Sequence, residues 1–318
     1  MVVVFFGTPE FAVPSLRALV GEGFDVRAVV TQPDRPRGRS RSALVAPPVK
    51  DAAAAEGIAV FQPERASDPA LLATLRELAP DVAVVVAYGH LLGPELLAIP
   101  RLGMVNVHPS LLPELRGAAP VEWAILRGIE KTGVSIMLLD AGMDSGPVLH
   151  QIPHRIAPGT TGGELSEHLA EMGAQALIEA LALWDQGSLR PVPQDHTRAT
   201  FAPKLTREVA RIEWGKPADV AMRQTLALDP RPGAWTLLSP ASGAGDTTTE
   251  PVEVKLYGGR VVSGQGAPGE VLEADGRLVV ATGAGALEVT EAQPAGKERM
   301  PVADWIRGRG ITRGRRFV

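Results

Sequence analysis

The 318-residue chain contains no cysteine, which excludes disulfides, thiolate nucleophiles and cysteine-bound zinc, and permits a reducing cytoplasm as its compartment. Its six histidines are scattered, and Pro153 between His150 and His154 argues against the helical spacing that a metal-binding pair needs, so no metal is expected. Long hydrophobic runs are also missing. The opening MVVVFFGTPEF is too short and lacks the basic leader of a signal peptide, and the longest later apolar run, Val82–Ala87, cannot span a bilayer; no membrane attachment is expected. Gly7 is followed by Thr8 and Pro9 rather than by a G-x-G-x-x-G loop, which disfavours a nicotinamide-dependent dehydrogenase. Walker A and G-x-S-x-G motifs are absent too, so P-loop and serine-elbow chemistries are set aside.

What is present has the texture of an α/β protein. Short apolar runs (Val2–Phe6, Val26–Val30, Ile58–Phe61, Val82–Ala87) alternate with amphipathic stretches (Val13–Gly21, Ala52–Glu56, Leu71–Leu78). Continuously apolar runs such as VVVFF and VAVVVA are those of strands buried on both faces, and the alternation predicts a doubly wound, mostly parallel sheet of Rossmann-like type. Leu165, Leu169, Met172, Ala176 and Ile178 predict a helix over Gly162–Trp184. Periodicity is then lost over a proline-bearing stretch, Gly187–Thr206, which reads as a linker. After an amphipathic start at Val209–Leu228 come β-like runs at Gly233–Leu238, Val252–Tyr257, Gly269–Glu273, Leu278–Thr282 and Leu287–Ala292, with a low-complexity loop at Ser239–Glu250. Short strands at this spacing predict a small β-barrel of the oligonucleotide/oligosaccharide-binding kind. The expected division is therefore 1–186, a linker at 187–206, and 207–318.

Net charge is only -4, but the distribution is uneven. Arg35, Arg37, Arg39 and Arg41 face a single acid within Asp34–Arg41, and Arg299–Arg316 holds six arginines against Asp304 alone. Such clusters can hold phosphates, or can be solvated surface.

The most informative stretch is GMVNVHPSLLPELRG at Gly103–Gly117, followed by SIMLLDAGMDSG at Ser135–Gly146. Strand alternation sends Asn106 and His108 to the same side. Asp144 follows the apolar run Val134–Leu139 in a turn bracketed by Gly142 and Gly146. If the two strands ended side by side in parallel, this carboxylate would meet the imidazole at the carboxyl end of the sheet. An amide, an imidazole and a carboxylate together suit acyl transfer. The first two would donate to a tetrahedral oxyanion, and the carboxylate would hold the ring, favour its charged form and take part in proton removal. Which of His108 and Asp144 first accepts the amine proton is left open.

The strings FGTPEFAVPSL, TQPDRPRGR, VVVAYGHLL, PRLGMVNVHPSLLPELRGAAP, TGVSIMLLDAGMDSG, ARIEW and QPAGKERM make the chain resemble the methionyl-tRNA formyltransferase family almost end to end. The resemblance implies 10-formyl-tetrahydrofolate as formyl donor, without metal, and methionyl initiator tRNA as acceptor. It implies catalytic roles for Asn106, His108 and Asp144. Folate contacts are implied for Tyr88, Gly89, Leu91 and Leu92, and for Leu139, Asp140, Gly142 and Met143. Ser110, Leu111, Leu112 and Pro113 form a turn expected to shape the wall beside the formyl group, with a purely structural role equally open. For tRNA the candidates are Arg37, Arg39, Arg41, Lys204, Arg315 and Arg316. Glu114 departs from the family pattern, which often has a basic residue there. The resemblance points to a cytoplasmic enzyme, expected to be a monomer. The alternatives are a formyltransferase acting on a small amine such as glycinamide ribonucleotide or an amino sugar, a formyl-folate hydrolase, and a non-catalytic tRNA-binding protein.

Overall fold

The computed structural model describes residues 1–37, 43–240 and 250–318, with Arg37 and Ala43 described by backbone alone. The chain forms two compact units. The first comprises Met1–Pro120, Lys131–Arg155 and Ser166–Ala202, and the second Val121–Glu130, Ile156–Leu165 and Pro203–Val318.

The elements up to the long helix are, in chain order, β1 (Val2–Gly7), α1 (Val13–Gly21), β2 (Asp25–Val30), β3 (Arg35–Arg37), β4 (Ala43–Val45), α2 (Pro48–Ala55) and β5 (Ala59–Phe61). They continue with α3 (Pro69–Leu78), β6 (Val82–Val86), α4 (Pro94–Leu97), β7 (Met104–His108), α5 (Pro120–Leu126), β8 (Lys131–Leu138), β9 (Val148–Arg155) and α6 (Gly162–Asp185). A seven-stranded sheet runs in the order β5-β2-β1-β6-β7-β8-β9. The first five strands of that order are parallel, as the continuous apolar runs predict, and β1 and β6 are buried along nearly their whole length. Each fully buried valine of these strands contributes roughly 1.5–3 kcal/mol relative to exposure.

β8 and β9 are antiparallel, and this corrects the picture of two parallel strands ending side by side. His108 pairs with Ser135 and Val105 with Leu138, so β8 finishes at the amino end of β7. The loop 139–147 carries the carboxylate back, placing Asp144 Oδ2 3.8 Å from His108 Nδ1. An apolar run such as Val134–Leu139 signals a buried strand but carries no information about its direction.

The stretch 187–206 is tied to unit 1 over much of its length, although its composition reads as a linker. Val192 pairs with Val148, His196–Arg198 makes one 3-10 turn, and Phe201 bridges to Arg116. Its hydrogen bonds run to loops rather than along a regular strand or helix, so no periodicity marks it.

In the second unit, α7 spans Ala218–Ala227 only. Residues 210–212 instead extend alongside Trp235, with Ile212 N–H donating to Trp235 O at 2.8 Å and Trp235 N–H to Ala210 O at 2.8 Å. The strands are β10 (Ala234–Leu238), β11 (Val252–Tyr257), β12 (Arg260–Val262), β13 (Val271–Ala274), β14 (Leu278–Ala281), β15 (Ala286–Val289), β16 (Glu291–Pro294) and β17 (Met300–Pro301), before α8 (Val302–Arg307). They build two antiparallel sheets, β10-β11-β16-β17 and β12-β15-β14-β13. The run expected as one strand at Leu287–Ala292 is two, because the chain leaves one sheet for the other at Thr290. The tail joins the sheets through bridges of Phe317 to Leu238 and Arg316 to Glu270. Of the insert Ser239–Glu250, residues 241–249 lie outside the described residues.

Helix α6 begins with a capping box. Thr161 N–H donates to Glu164 Oε2 at 2.8 Å while Glu164 N–H donates to Thr161 Oγ1 at 3.2 Å. Farther along, Gly173 lets the helix approach β7: a Cβ there would lie 2.7 Å from Val107 Cγ1. Gly173→Val is expected to lower unfolding stability by about 1–3 kcal/mol through overpacking, despite valine's better helix propensity than glycine. Urea denaturation checks this, and an unchanged midpoint contradicts it.

Candidate active site

Asn106 lies in register with Val85 on β6 and Met137 on β8, near the carboxyl edge of the parallel strands. It is half-buried, and its carboxamide makes no hydrogen bond to protein among the described residues. Two residues on, His108 is buried, and its Nε2 lies 3.0 Å from Leu115 O. A carbonyl oxygen can only accept, so Nε2 carries the proton and Nδ1 is the open nitrogen of the neutral ring. That nitrogen faces Asp144 Oδ2 at 3.8 Å, while Oδ2 accepts Gly117 N–H at 2.8 Å.

The electrostatics differ from the sequence expectation. Burial pushes His108 below the ordinary imidazole range, outweighing the Asp144 carboxylate and the Leu115 carbonyl, which both act to raise it. The resting ring is therefore neutral, with an acceptor at Nδ1 and a carboxylate beside it to stabilise the imidazolium once a proton arrives.

The backbone around these groups is strained. Ala87, Leu115 and Asp144 adopt φ of 47°, 57° and 48°, in the left-handed region that costs non-glycine residues roughly 1–3 kcal/mol. Leu115 supplies the carbonyl that fixes His108, and Asp144 supplies the carboxylate. Gly117 has φ 120°, and a Cβ there would lie 2.7 Å from Ala202 O, so only glycine presents this N–H to Asp144.

Residues 1–181 match the family model for formyl transferase, and residues 204–310 that for the formyl transferase C-terminal domain. A methionyl-tRNA formyltransferase of Roseiflexus sp. (strain RS-1) is 46% identical over 319 residues, spanning 99% of this chain and 94% of that protein. Another, of Magnetococcus marinus, is 43% identical over 317 residues, spanning 99% and 97%. The chain belongs to the methionyl-tRNA formyltransferase family. Among solved structures, WlaRD, a sugar 3N-formyl transferase, is similar in fold, with a TM-score of 0.66 at 16% identity over 94% of this chain and 99% of that one. HypX from Aquifex aeolicus, in complex with tetrahydrofolic acid, is also similar, with a TM-score of 0.64 at 20% identity over 95% of this chain and 46% of that one.

The candidate folate residues in this formyltransferase fall into three groups. Gly89, Leu91, Asp140, Gly142 and Met143 are exposed, Leu91 at 97% and Met143 at 65%. Leu92 and Leu139 are partly buried against the same apolar cluster, which includes Tyr88 and Met104. The remaining candidates are taken up by the fold. Tyr88 is buried edge-on to Phe6; its hydroxyl has no hydrogen-bond partner among the described residues, and burial pushes its pKa up to about 12, so its side chain is part of the core. Its carbonyl accepts from Thr8 Oγ1 and Gln32 Nε2. Ser110 is buried and donates to Glu114 O at 2.6 Å, and Leu112 N–H donates to Ser135 Oγ, so the Ser110–Pro113 turn is bonded within the fold, Leu111 lying against Gly133.

Of the arginines, Arg39 and Arg41 lie outside the described residues, and Arg37 sits on β3 of the short β3–β4 hairpin. In unit 2, Lys204 is exposed. Arg315, also a tRNA candidate, is half-buried and has one arm engaged within the fold, its Nη2 donating to Ser239 O at 2.5 Å. Arg316 is exposed and lines a cleft of about 660 Å³ together with Arg207, Arg211, Trp214 and Trp235. The Arg207 guanidinium lies 4.1 Å from the centre of the Trp235 ring and that of Arg211 5.5 Å. Arg207 and Arg211 stand four residues apart beside the ARIEW string and form no charge cluster along the chain; Trp235 brings them together. No group of three potential metal ligands occurs among the described residues, and no helix there is long and apolar enough to cross a membrane.

Because Asp144 raises the His108 pKa while burial lowers it, Asp144→Asn is expected to lower that pKa further. NMR titration of the ring protons checks this, and an upward shift contradicts the assigned balance.

Proposed function

We propose that Asn106, His108 and Asp144 carry out the reaction of this enzyme, transfer of the formyl group of 10-formyl-tetrahydrofolate to the α-amine of methionyl initiator tRNA. The observation that carries the reading is the pairing of His108 Nδ1 with Asp144 Oδ2 at 3.8 Å while Nε2 is held by Leu115 O. It leaves one nitrogen able to take a proton beside a carboxylate able to balance the resulting charge.

The amine attacks the formyl carbon, and the carbonyl π electrons move to its oxygen. Asn106, whose amide has no hydrogen-bond partner among the described residues, donates to that oxyanion. The amine loses a proton to Nδ1, and the imidazolium so formed is stabilised by Asp144 and becomes a second donor. Collapse of the intermediate breaks the bond from the formyl carbon to the folate nitrogen. The oxyanion's electron pair re-forms the carbonyl, and the folate nitrogen takes the proton from His108 Nδ1, which returns the ring to its neutral state. Exposed Leu91 and Met143, with Leu92 and Leu139 on the apolar cluster, supply apolar surface suited to the pterin of the folate.

Residues 1–186 form the catalytic domain in this reading, and 207–318 a domain that contacts tRNA after the 187–206 segment. Arg37, Arg39 and Arg41 of the first domain contact tRNA, as do Lys204, Arg316 and, added from the cleft, Arg207 and Arg211. The enzyme acts in the cytoplasm, which suits a chain without cysteine, and as a monomer.

His108→Ala and Asp144→Ala are expected to fold and to lose formyl transfer, and Asn106→Ala to lose about 100- to 1000-fold in turnover. Labelled formyl-folate with aminoacylated initiator tRNA gives the rates, and near-normal turnover in any folded variant refutes its role. Arg211→Ala and Arg316→Ala should raise the tRNA KM and reduce its salt dependence by about one ion each, leaving the folate KM unchanged. Equal losses toward both substrates would count against the cleft as a tRNA contact.

A further inference from the structure

We infer that Gln194, in the segment that reads as a linker, is a positioning residue for formyl transfer, acting through Asp144. The inference rests on the catalytic reading of Asp144 given above.

Gln194 is buried, and its amide is used at both ends. Its nitrogen donates to Asp144 O at 2.9 Å and to Gly146 O at 2.7 Å, spanning the turn that carries the carboxylate. Its oxygen accepts from Arg116 Nη2 at 2.7 Å and Nε at 3.1 Å. Arg116 is itself buried and is steadied by His196 Nδ1 at 3.1 Å from its Nη2. The next residue along the chain, Gly117, gives its N–H to Asp144 Oδ2. The circuit is therefore closed: one side chain holds the backbone of Asp144, and the peptide beside its own partner holds the carboxylate.

The same segment also fixes the other half of the pair. Thr200 O accepts Arg116 N–H at 2.9 Å, Ala202 N–H donates to Arg116 O at 2.7 Å, and Thr200 Oγ1 accepts Leu115 N–H at 2.9 Å. Leu115 in turn supplies the carbonyl that sets the His108 ring. Residues 194–202 thus brace both the acid and the imidazole. Asp144 requires such bracing, because its φ of 48° is not held by a regular element. Displacing a reacting group by 1 Å typically costs on the order of 100-fold in rate.

The test compares three substitutions. Gln194→Glu keeps an acceptor for Arg116 but loses both donors to the Asp144 turn. Gln194→Met removes both arms, and Gln194→Asn keeps the amide but shortens its reach. The glutamate and methionine variants are expected to lower kcat by roughly 10- to 100-fold, with the formyl-folate KM within about twofold of the parent. The acid limb of the kcat–pH profile should move to lower pH, since a displaced carboxylate no longer raises the His108 pKa. Gln194→Asn, the substitution with the best prospect of folding, should show the same shift in smaller degree.

A parallel Asp144→Asn measurement separates the two readings. If it transfers formyl at the parent rate, the catalytic reading fails. If it is inactive while folded Gln194 variants keep the parent kcat and pH profile, the positioning role fails alone. Loss of activity that tracks a lowered unfolding midpoint, with the acid limb unmoved, also overturns it, because that is what a purely structural side chain would give.

Discussion

Burial of His108 with its Nε2 proton committed to the Leu115 carbonyl is the constraint from which the site follows. It decides the tautomer, turns Nδ1 toward Asp144, and makes the resting ring neutral against the pull of a nearby carboxylate. A solvated histidine beside an aspartate would tend toward the charged form. Here desolvation wins, because the charged ring loses more by leaving water than it recovers from an acid 3.8 Å away. The result is a group that accepts a proton from an amine and then finds its charge already matched.

Keeping that arrangement requires backbone that no helix or strand provides. Leu115 and Asp144 both sit in the left-handed region, and Gly117 occupies a space that only glycine fits. The segment 194–202 offsets this strain with backbone and amide hydrogen bonds, while Gly173 allows α6 to press on β7 from the sheet face. Rigid strands set the positions of Asn106 and His108. Strained loops, braced from a distant part of the chain, set that of Asp144.

Much of this could be read along the chain. Buried parallel strands announce themselves as continuous apolar runs, and β1, β2 and β6 lie where VVVFF, VRAVV and VAVVV predict. Helix α6 follows its periodicity to within a residue of the expected end. Asn106 and His108 share a face because alternate residues of a strand do so. What could not be read depends on partners remote in sequence. The direction of β8, the break at Thr290 between β15 and β16, and the bond of Arg315 to Ser239 O are decided by pairing and packing rather than by local composition. Tyr88 illustrates the same point, since a motif residue expected to contact folate has its side chain buried against Phe6.

The sequence by itself determined the α/β class, the β-rich second half and the identity of an amide, an imidazole and a carboxylate suited to acyl transfer, because propensity, periodicity and side-chain chemistry are local properties. Only the tertiary structure decided which nitrogen of His108 is open, that the ring rests neutral, and that Gln194 reaches back to the Asp144 turn. Those outcomes depend on desolvation and on hydrogen bonds between residues up to dozens of positions apart, which exist only once the chain has closed on itself.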